Sequence, residues 1–87
     1  MRIIEGRPFE KQLAKLSREL RMKVRERVHL LIIDSSQPVL HDHKLNPPFE
    51  GYRSINITGD WRLIFEQVDP HTIRLLDIDT HRNLYGK

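Results

Sequence analysis

The chain has 87 residues, of which 38% are hydrophobic and 31% charged, so it has room for one modest core and reads as one soluble domain spanning residues 1–87. It has no cysteine, which excludes disulfides and thiolate metal sites, and no apolar run near the roughly 20 residues that cross a bilayer. The net charge of +3 is unevenly spread: residues 1–30 hold nine Lys or Arg against four Glu, and the remainder six against eight acids. A basic half suits an anionic partner, nucleic acid or an acidic protein, or simply a solvated helical face.

Met1 to Glu5 lacks the long apolar segment of a secretion signal, since Glu5, Arg7, Glu10 and Lys11 follow at once, so a cytoplasmic protein is expected. Arg2-Ile3-Ile4 is β-prone and short, and suggests an opening strand. Gly6-Arg7-Pro8 breaks it, and Pro8 suits the first turn of a helix. Phe9, Leu13, Leu16, Leu20, Val24, Val28 and Leu31 then recur every three or four residues, an apolar stripe on a helical cylinder. Ser17 can cap a second helix, which makes the stretch a helical hairpin rather than one rod. Arg18, Arg21 and Arg25 form a basic stripe beside the apolar one.

Asp34-Ser35-Ser36-Gln37-Pro38 ends the helical region. Leu40 to Leu45 and Asn46-Pro47-Pro48 read as an extended or looping connection. In Gly51 to Phe65 two β-prone runs flank Thr58-Gly59-Asp60, predicting an antiparallel hairpin whose turn uses a positive φ at Gly59. Alternation sets Ile55, Ile57, Trp61, Leu63 and Phe65 toward a core. Ser54, Asn56, Arg62, Ile64 and Glu66 then form a mixed polar face. After the Asp69-Pro70-His71 turn, Ile73–Ile78 reads as a third strand paired with the second, and the last residues as a single helical turn. The order β-αα-βββ implies an α+β domain in which a helical hairpin covers one face of a small, mainly antiparallel sheet.

Five histidines invite attention. His29 and His71 fall in a helix and a turn and read as structural. His41 and His43 flank Asp42 as a possible metal pair, but no third ligand is fixed. The sharper reading is metal-free: His43 and His81 as proton carriers, because free imidazole titrates near neutrality. Asp60 and Trp61 fit either a turn and a core or a reactive site. Arg62, mid-strand, could stabilise negative charge on a phosphate, and Tyr85 could pack or stack on a base.

Four segments occur together: His41-Asp42-His43-Lys44-Leu45, Gly51-Tyr52-Arg53, Asp60-Trp61-Arg62-Leu63-Ile64-Phe65, and Thr80-His81-Arg82-Asn83-Leu84-Tyr85-Gly86. In this order and spacing they resemble the RelE superfamily of bacterial toxins, and most closely its YafQ-type branch, where DHxL, GYR, DWxLIY and THxxLF recur. The resemblance covers essentially the whole chain. It implies a RelE/ParE-like fold and a toxin encoded beside an antitoxin that wraps and silences it. It also implies a ribosome-dependent endoribonuclease that cleaves mRNA with no metal and no cofactor, the ribose 2′-oxygen attacking the neighbouring phosphate. By this resemblance His43 is the candidate base and His81 the candidate acid, Asp60 orients or assists, and Arg62 binds phosphate. Asn56, Trp61, Arg82 and Tyr85 would contact the RNA, and Arg18, Arg21 and Arg25 the ribosome or antitoxin. The free toxin is expected to be a monomer and the antitoxin complex heteromeric.

Two positions depart from the branch: Asn56 stands where it carries a histidine, and Asp77 where it carries an active-site arginine. A carboxylate about 4 Å from a phosphate costs several kcal/mol at intermediate dielectric. Either Asp77 points away, or Arg74 or Arg82 substitutes, or cleavage is weak. Two alternatives therefore stay open: a ParE-like toxin that inhibits DNA gyrase, and a relative that mainly binds its antitoxin.

Overall fold

The computed structural model describes residues 1–45 and 51–85. Strand β1 (Arg2–Glu5) leads through Gly6 into helix α1 (Arg7–Lys15), and Leu16 and Ser17 separate it from α2 (Arg18–Ile33). A 3-10 turn (Pro38–Leu40), β2 (His43–Lys44), β3 (Arg53–Asn56), β4 (Trp61–Asp69), β5 (Thr72–Thr80) and α3 (His81–Tyr85) follow. The strands form one sheet in the order β1-β5-β4-β3-β2; β1 runs parallel to β5 and every other pairing is antiparallel. The α+β arrangement is the expected one, with β2 an addition: part of the anticipated connection pairs His43 with Ser54 and Lys44 with Arg53. The Asn46-Pro47-Pro48 part of that connection lies outside the described residues, as does Gly86.

The helical stripe does what its spacing predicts. Phe9, Leu16, Val24, Val28 and Leu31 are buried against Ile55, Ile57, Leu63, Phe65, Ile73, Leu75 and Ile78 of the sheet side, with Leu13 and Leu20 packed at the margin. Each fully buried side chain of this size stabilises by about 1.5–3 kcal/mol. Ser17 caps α2, its hydroxyl accepting from the Leu20 N–H at 3.2 Å. Gly6 is required by a close approach: its N–H donates to the Leu75 carbonyl at 2.8 Å, and a Cβ there would lie 2.7 Å from that same oxygen.

The hairpin closes differently from the expected turn. Gly59 does not take a positive φ; among the described residues only His41 (φ 48) and Gly51 (φ 86) do. The connection is four residues, Ile57 to Asp60, long enough to turn without a left-handed residue. It is held instead by side chains. The Thr58 hydroxyl accepts from the Trp61 N–H, and Arg62 Nη1 donates to the carbonyls of Thr58, Gly59 and Trp61 at 3.1, 2.9 and 3.2 Å. The anticipated polar face is also less open than alternation implies, since Ser54 is fully buried and Ile64 is 4% exposed. Alternation gives the side of the sheet and not what lies over it.

Candidate active site

Directly opposed residues of neighbouring strands share a face, so the pairing places the candidate residues. On the face away from the hydrophobic core, Asn56, Arg62 and Asp79 form one row across β3, β4 and β5. His43, Ser54, Ile64 and Asp77 form the next, from the β2 edge inward. A bulge after Ile64 and Asp77 shifts the β4–β5 register, so that Phe65 meets Leu75 and keeps both in the core. The last residue of β5, Thr80, delivers the chain into α3, and the His81 N–H donates to the Asp60 carbonyl at 2.7 Å. Asp60, Thr80, His81 and Arg82 line a recess of about 330 Å³ at this end of the sheet.

His43 has a defined tautomer. Its Nδ1 lies 2.8 Å from the His41 carbonyl oxygen, which can only accept, so Nδ1 carries a proton and in the neutral ring the lone pair falls on Nε2. His41 supplies that carbonyl from a left-handed conformation after the 3-10 turn, with its ring 4.9 Å from the His43 ring. This is a positioned base of the kind proton abstraction needs. No motif shows it, because the bond comes from the backbone of a residue whose side chain attracts attention for another reason. Among the described residues no group of three or more His, Asp or Glu could hold a metal ion.

The DHxL and GYR segments meet. Arg53 Nε donates to Asp42 Oδ1 at 2.7 Å, and the Asp42 side chain is only 9% exposed. This pair ties the strand that carries His43 to the centre of the sheet. Sequence reasoning quoted both residues without joining them.

Arg62 is half-buried, and its Nη1 is committed to the three turn carbonyls; Nε and Nη2 have no partner among the described residues. Trp61 is half-buried and packs against the core at the sheet end. Asn56 is half-buried, with its Oδ1 and the Ser54 Oγ shielded and lacking a hydrogen-bond partner among the described residues. Asp77 lies on the site face and is half-buried, its carboxylate accepting from the Ile78 N–H at 2.8 Å. Burial pushes its pKa above the ordinary aspartate value and the Asp79 charge adds to this, while the Ile78 bond opposes both. Arg74 is paired with Glu66 at 2.9 Å, whereas Arg82 stands at the recess beside His81. Tyr85 is the last residue of α3.

Arg18, Arg21 and Arg25 lie away from this face, on α2, where with Leu13, Met22 and His29 they line an open groove of about 930 Å³. Two of them are engaged within the chain: Arg21 caps the Leu16 carbonyl at 2.9 Å and Arg25 pairs with Glu5 at 2.8 Å. None of the described helices is long and apolar enough to cross a membrane.

The fold has known relatives. The chain is similar in structure to YafQ from E. coli strain BL21(DE3), with 27% identity over 99% of this chain and 100% of that one, at a TM-score of 0.74. The YafQ chain of the E. coli DinJ-YafQ complex matches at 28% identity, 99% and 100% coverage, and a TM-score of 0.74. A YoeB/ParE toxin from Agrobacterium tumefaciens shares the fold at 12% identity, covering 93% of this chain and 99% of that one, with a TM-score of 0.78. No curated protein sequence matches significantly. The family model described as the bacterial toxin of type II toxin-antitoxin system, YafQ, matches residues 1–86, and the chain belongs to that family.

Proposed function

We propose that this toxin is a ribosome-dependent endoribonuclease that cleaves mRNA, and that it is held inactive by a cognate antitoxin. The observation that carries the reading is the contact of His43 Nδ1 with the His41 carbonyl, which orients the ring on the edge of the site face so that Nε2 is the nitrogen left to act as a base in the neutral form. His81 stands at the other side: Asp77, in the His43 row, is three strands across, and His81 lies four residues beyond it at the end of β5. On this reading the two imidazoles serve different oxygens of an RNA lying across β3 and β4. Nε2 of His43 takes the proton of a ribose 2′-hydroxyl as its oxygen attacks the adjacent phosphorus. His81, as imidazolium, gives a proton to the departing 5′-oxygen, leaving a 2′,3′-cyclic phosphate. Arg62, through Nε and Nη2, and Arg82 supply positive charge to the phosphorane, while Asp60 holds the start of α3 through its carbonyl. Asn56, Trp61 and Tyr85 are assigned to nucleotide contact. The exposed arginines of α2 supply sequence-independent grip on ribosomal phosphates, or on an acidic antitoxin segment.

Support for the antitoxin comes from the family and from the E. coli YafQ relative, whose structure with DinJ is a complex of this kind. The test is primer extension on an mRNA in a purified translation system, with wild type, His43→Ala and His81→Ala in parallel. Cuts that require ribosomes and vanish in both variants are expected; cuts that persist in both would sink the mechanism. One feature favours a second reading: Asp77 puts a carboxylate on the site face. A gyrase inhibitor of the ParE kind would leave mRNA intact and block supercoiling in a gyrase assay.

A further inference from the structure

We propose that Asp79 and Asn83 form a clamp that positions His81; its catalytic consequence rests on the nuclease reading above, but its geometry does not. Helix α3 has five residues, far short of the length at which an isolated helix persists in water, and His81, Arg82 and Asn83 are all exposed. Neither propensity nor a large buried face explains why it is ordered. Four hydrogen bonds help to fix its start. The His81 N–H donates to the Asp60 carbonyl at 2.7 Å. The Asn83 N–H donates to Thr80 Oγ1 at 3.2 Å, so Thr80 is a helix cap. Asn83 Nδ2 donates to Asp79 Oδ1 at 2.9 Å, and that same oxygen accepts from the Thr80 N–H at 2.8 Å. Asn83 is therefore gripped twice, by backbone and by side chain, by the last two residues of β5.

The Asp79 carboxylate sits where its charge helps, at the N-terminal end of a helix, and it is fixed before α3 begins by its bond to the Thr80 amide. On β4 its register partner is Arg62. Asp79 thus joins the strand that frames the site to the helix that carries the candidate acid. Asp79 and Asn83 are positioning residues, acting through the backbone of α3 on His81. The bond needs an acceptor at 79 and a donor at 83, and the same oxygen also takes the Thr80 N–H, so Asp79→Asn, whose amide oxygen can accept both, preserves it without the charge.

Asn83→Ala, Asp79→Ala and the conservative Asp79→Asn would be compared with wild type by two measurements. Amide hydrogen exchange in the free toxin reads the clamp without reference to activity. Protection at His81 and Asn83 should fall about tenfold or more in either alanine variant, as for loss of one charge-assisted hydrogen bond, and largely return in Asp79→Asn. Protection at Leu63 and Ile78 should stay, which separates loss of the clamp from loss of the fold. Single-turnover cleavage on ribosomes reads the consequence. The maximal rate should fall on the order of 10²-fold in the alanine variants, as for a misplacement of about 1 Å, with little change in the half-saturating ribosome concentration, and Asp79→Asn should recover most of it. Unchanged protection at His81 in both alanine variants overturns the clamp. Lost protection with an unchanged cleavage rate overturns the positioning role. A wild type that cleaves nothing, while protection still falls in the variants, removes the nuclease reading and upholds the clamp.

Discussion

Breaking the Asp42–Arg53 pair from either side should have unequal effects, and the structure gives the order. The bond is short, 2.7 Å, with the Asp42 side chain 9% exposed and that of Arg53 29%. A hydrogen bond to a charged group contributes about 1.5–3 kcal/mol, and stranding a fully buried charge costs about 3–5 kcal/mol. Arg53→Met keeps much of the apolar stem and strands the better-buried carboxylate, so about 3 kcal/mol is expected. Asp42→Ala strands the more exposed guanidinium, which can rehydrate, so the loss should be nearer 1.5 kcal/mol. At about 4–8 °C per kcal/mol for a domain of this size, Arg53→Met should lower Tm by roughly 12–24 °C, and Asp42→Ala by half that. Urea unfolding of both variants and the double variant measures the coupling, which should leave the double less destabilised than Arg53→Met alone, because no carboxylate is then stranded. Equal losses from the two single changes, or simple additivity, would refute the argument from burial. Asp42→Ala should also slow any cleavage that depends on His43, because it loosens the strand that carries it.

Gly6→Ala should destabilise by about 1–3 kcal/mol in thermal unfolding, since a new Cβ at 2.7 Å from the Leu75 carbonyl meets backbone that cannot move aside cheaply. Replacing Arg62 by lysine keeps the charge but cannot reproduce its contacts with three carbonyls; hydrogen exchange at Trp61 should rise even where phosphate binding survives. Asp77 has a folded-state pKa above its ordinary value, so its ionisation opposes folding: the contribution it makes to stability is full below the unfolded pKa and is lost as pH rises through the folded one. Asp77→Asn should therefore raise the urea midpoint at neutral pH and give no gain below the ordinary aspartate range, the Ile78 N–H keeping an acceptor in both forms. His41→Ala should leave the cleavage rate nearly intact, because His43 is held by the backbone carbonyl at position 41 and not by the imidazole.

The parts of the fold legible in the sequence are those set by periodicity and local capping. The Phe9-to-Leu31 stripe, the Ser17 cap and the alternation along β4 each involve residues within a turn or a strand of one another. What escaped depends on partners distant in the chain. Nothing local announces that Arg2–Glu5 lies parallel to Thr72–Leu75, or that two residues at His43 add an edge strand to β3. Ser54 and Ile64 read as surface from alternation and are buried, because alternation is blind to what covers a face. At the candidate site the motifs supplied residue identities. They did not supply the His43 tautomer, the binding of Arg62 into its own turn, or the Asp79–Asn83 bond, each of which rests on an atom-to-atom geometry that composition leaves free.

The departure at Asp77 shows how charge and register together constrain any substrate. Asp77 and Asp79 alternate along β5 and both face the site, so this strand presents carboxylates where a phosphate would otherwise approach. Arg74 cannot offset them without giving up Glu66, to which it is paired. Among the described residues of this face and the adjoining recess, the positive groups that remain are Arg62 on β4, whose Nη1 is occupied by the turn, and Arg82 at the recess beside His81. Asp79 is itself partly satisfied by the amides of Thr80 and Asn83, which leaves Asp77 as the carboxylate with more influence on an incoming phosphate. On the nuclease reading, the scissile phosphate is then drawn toward the Arg62 and Arg82 end of the sheet, close to His81, with the ribose side extending toward His43. Burial moves Asp77 toward its neutral form, which weakens the same repulsion as pH falls. The departure therefore bears on where along the sheet the phosphate sits and on the pH dependence of binding, while the framework that holds the two histidines is built without Asp77.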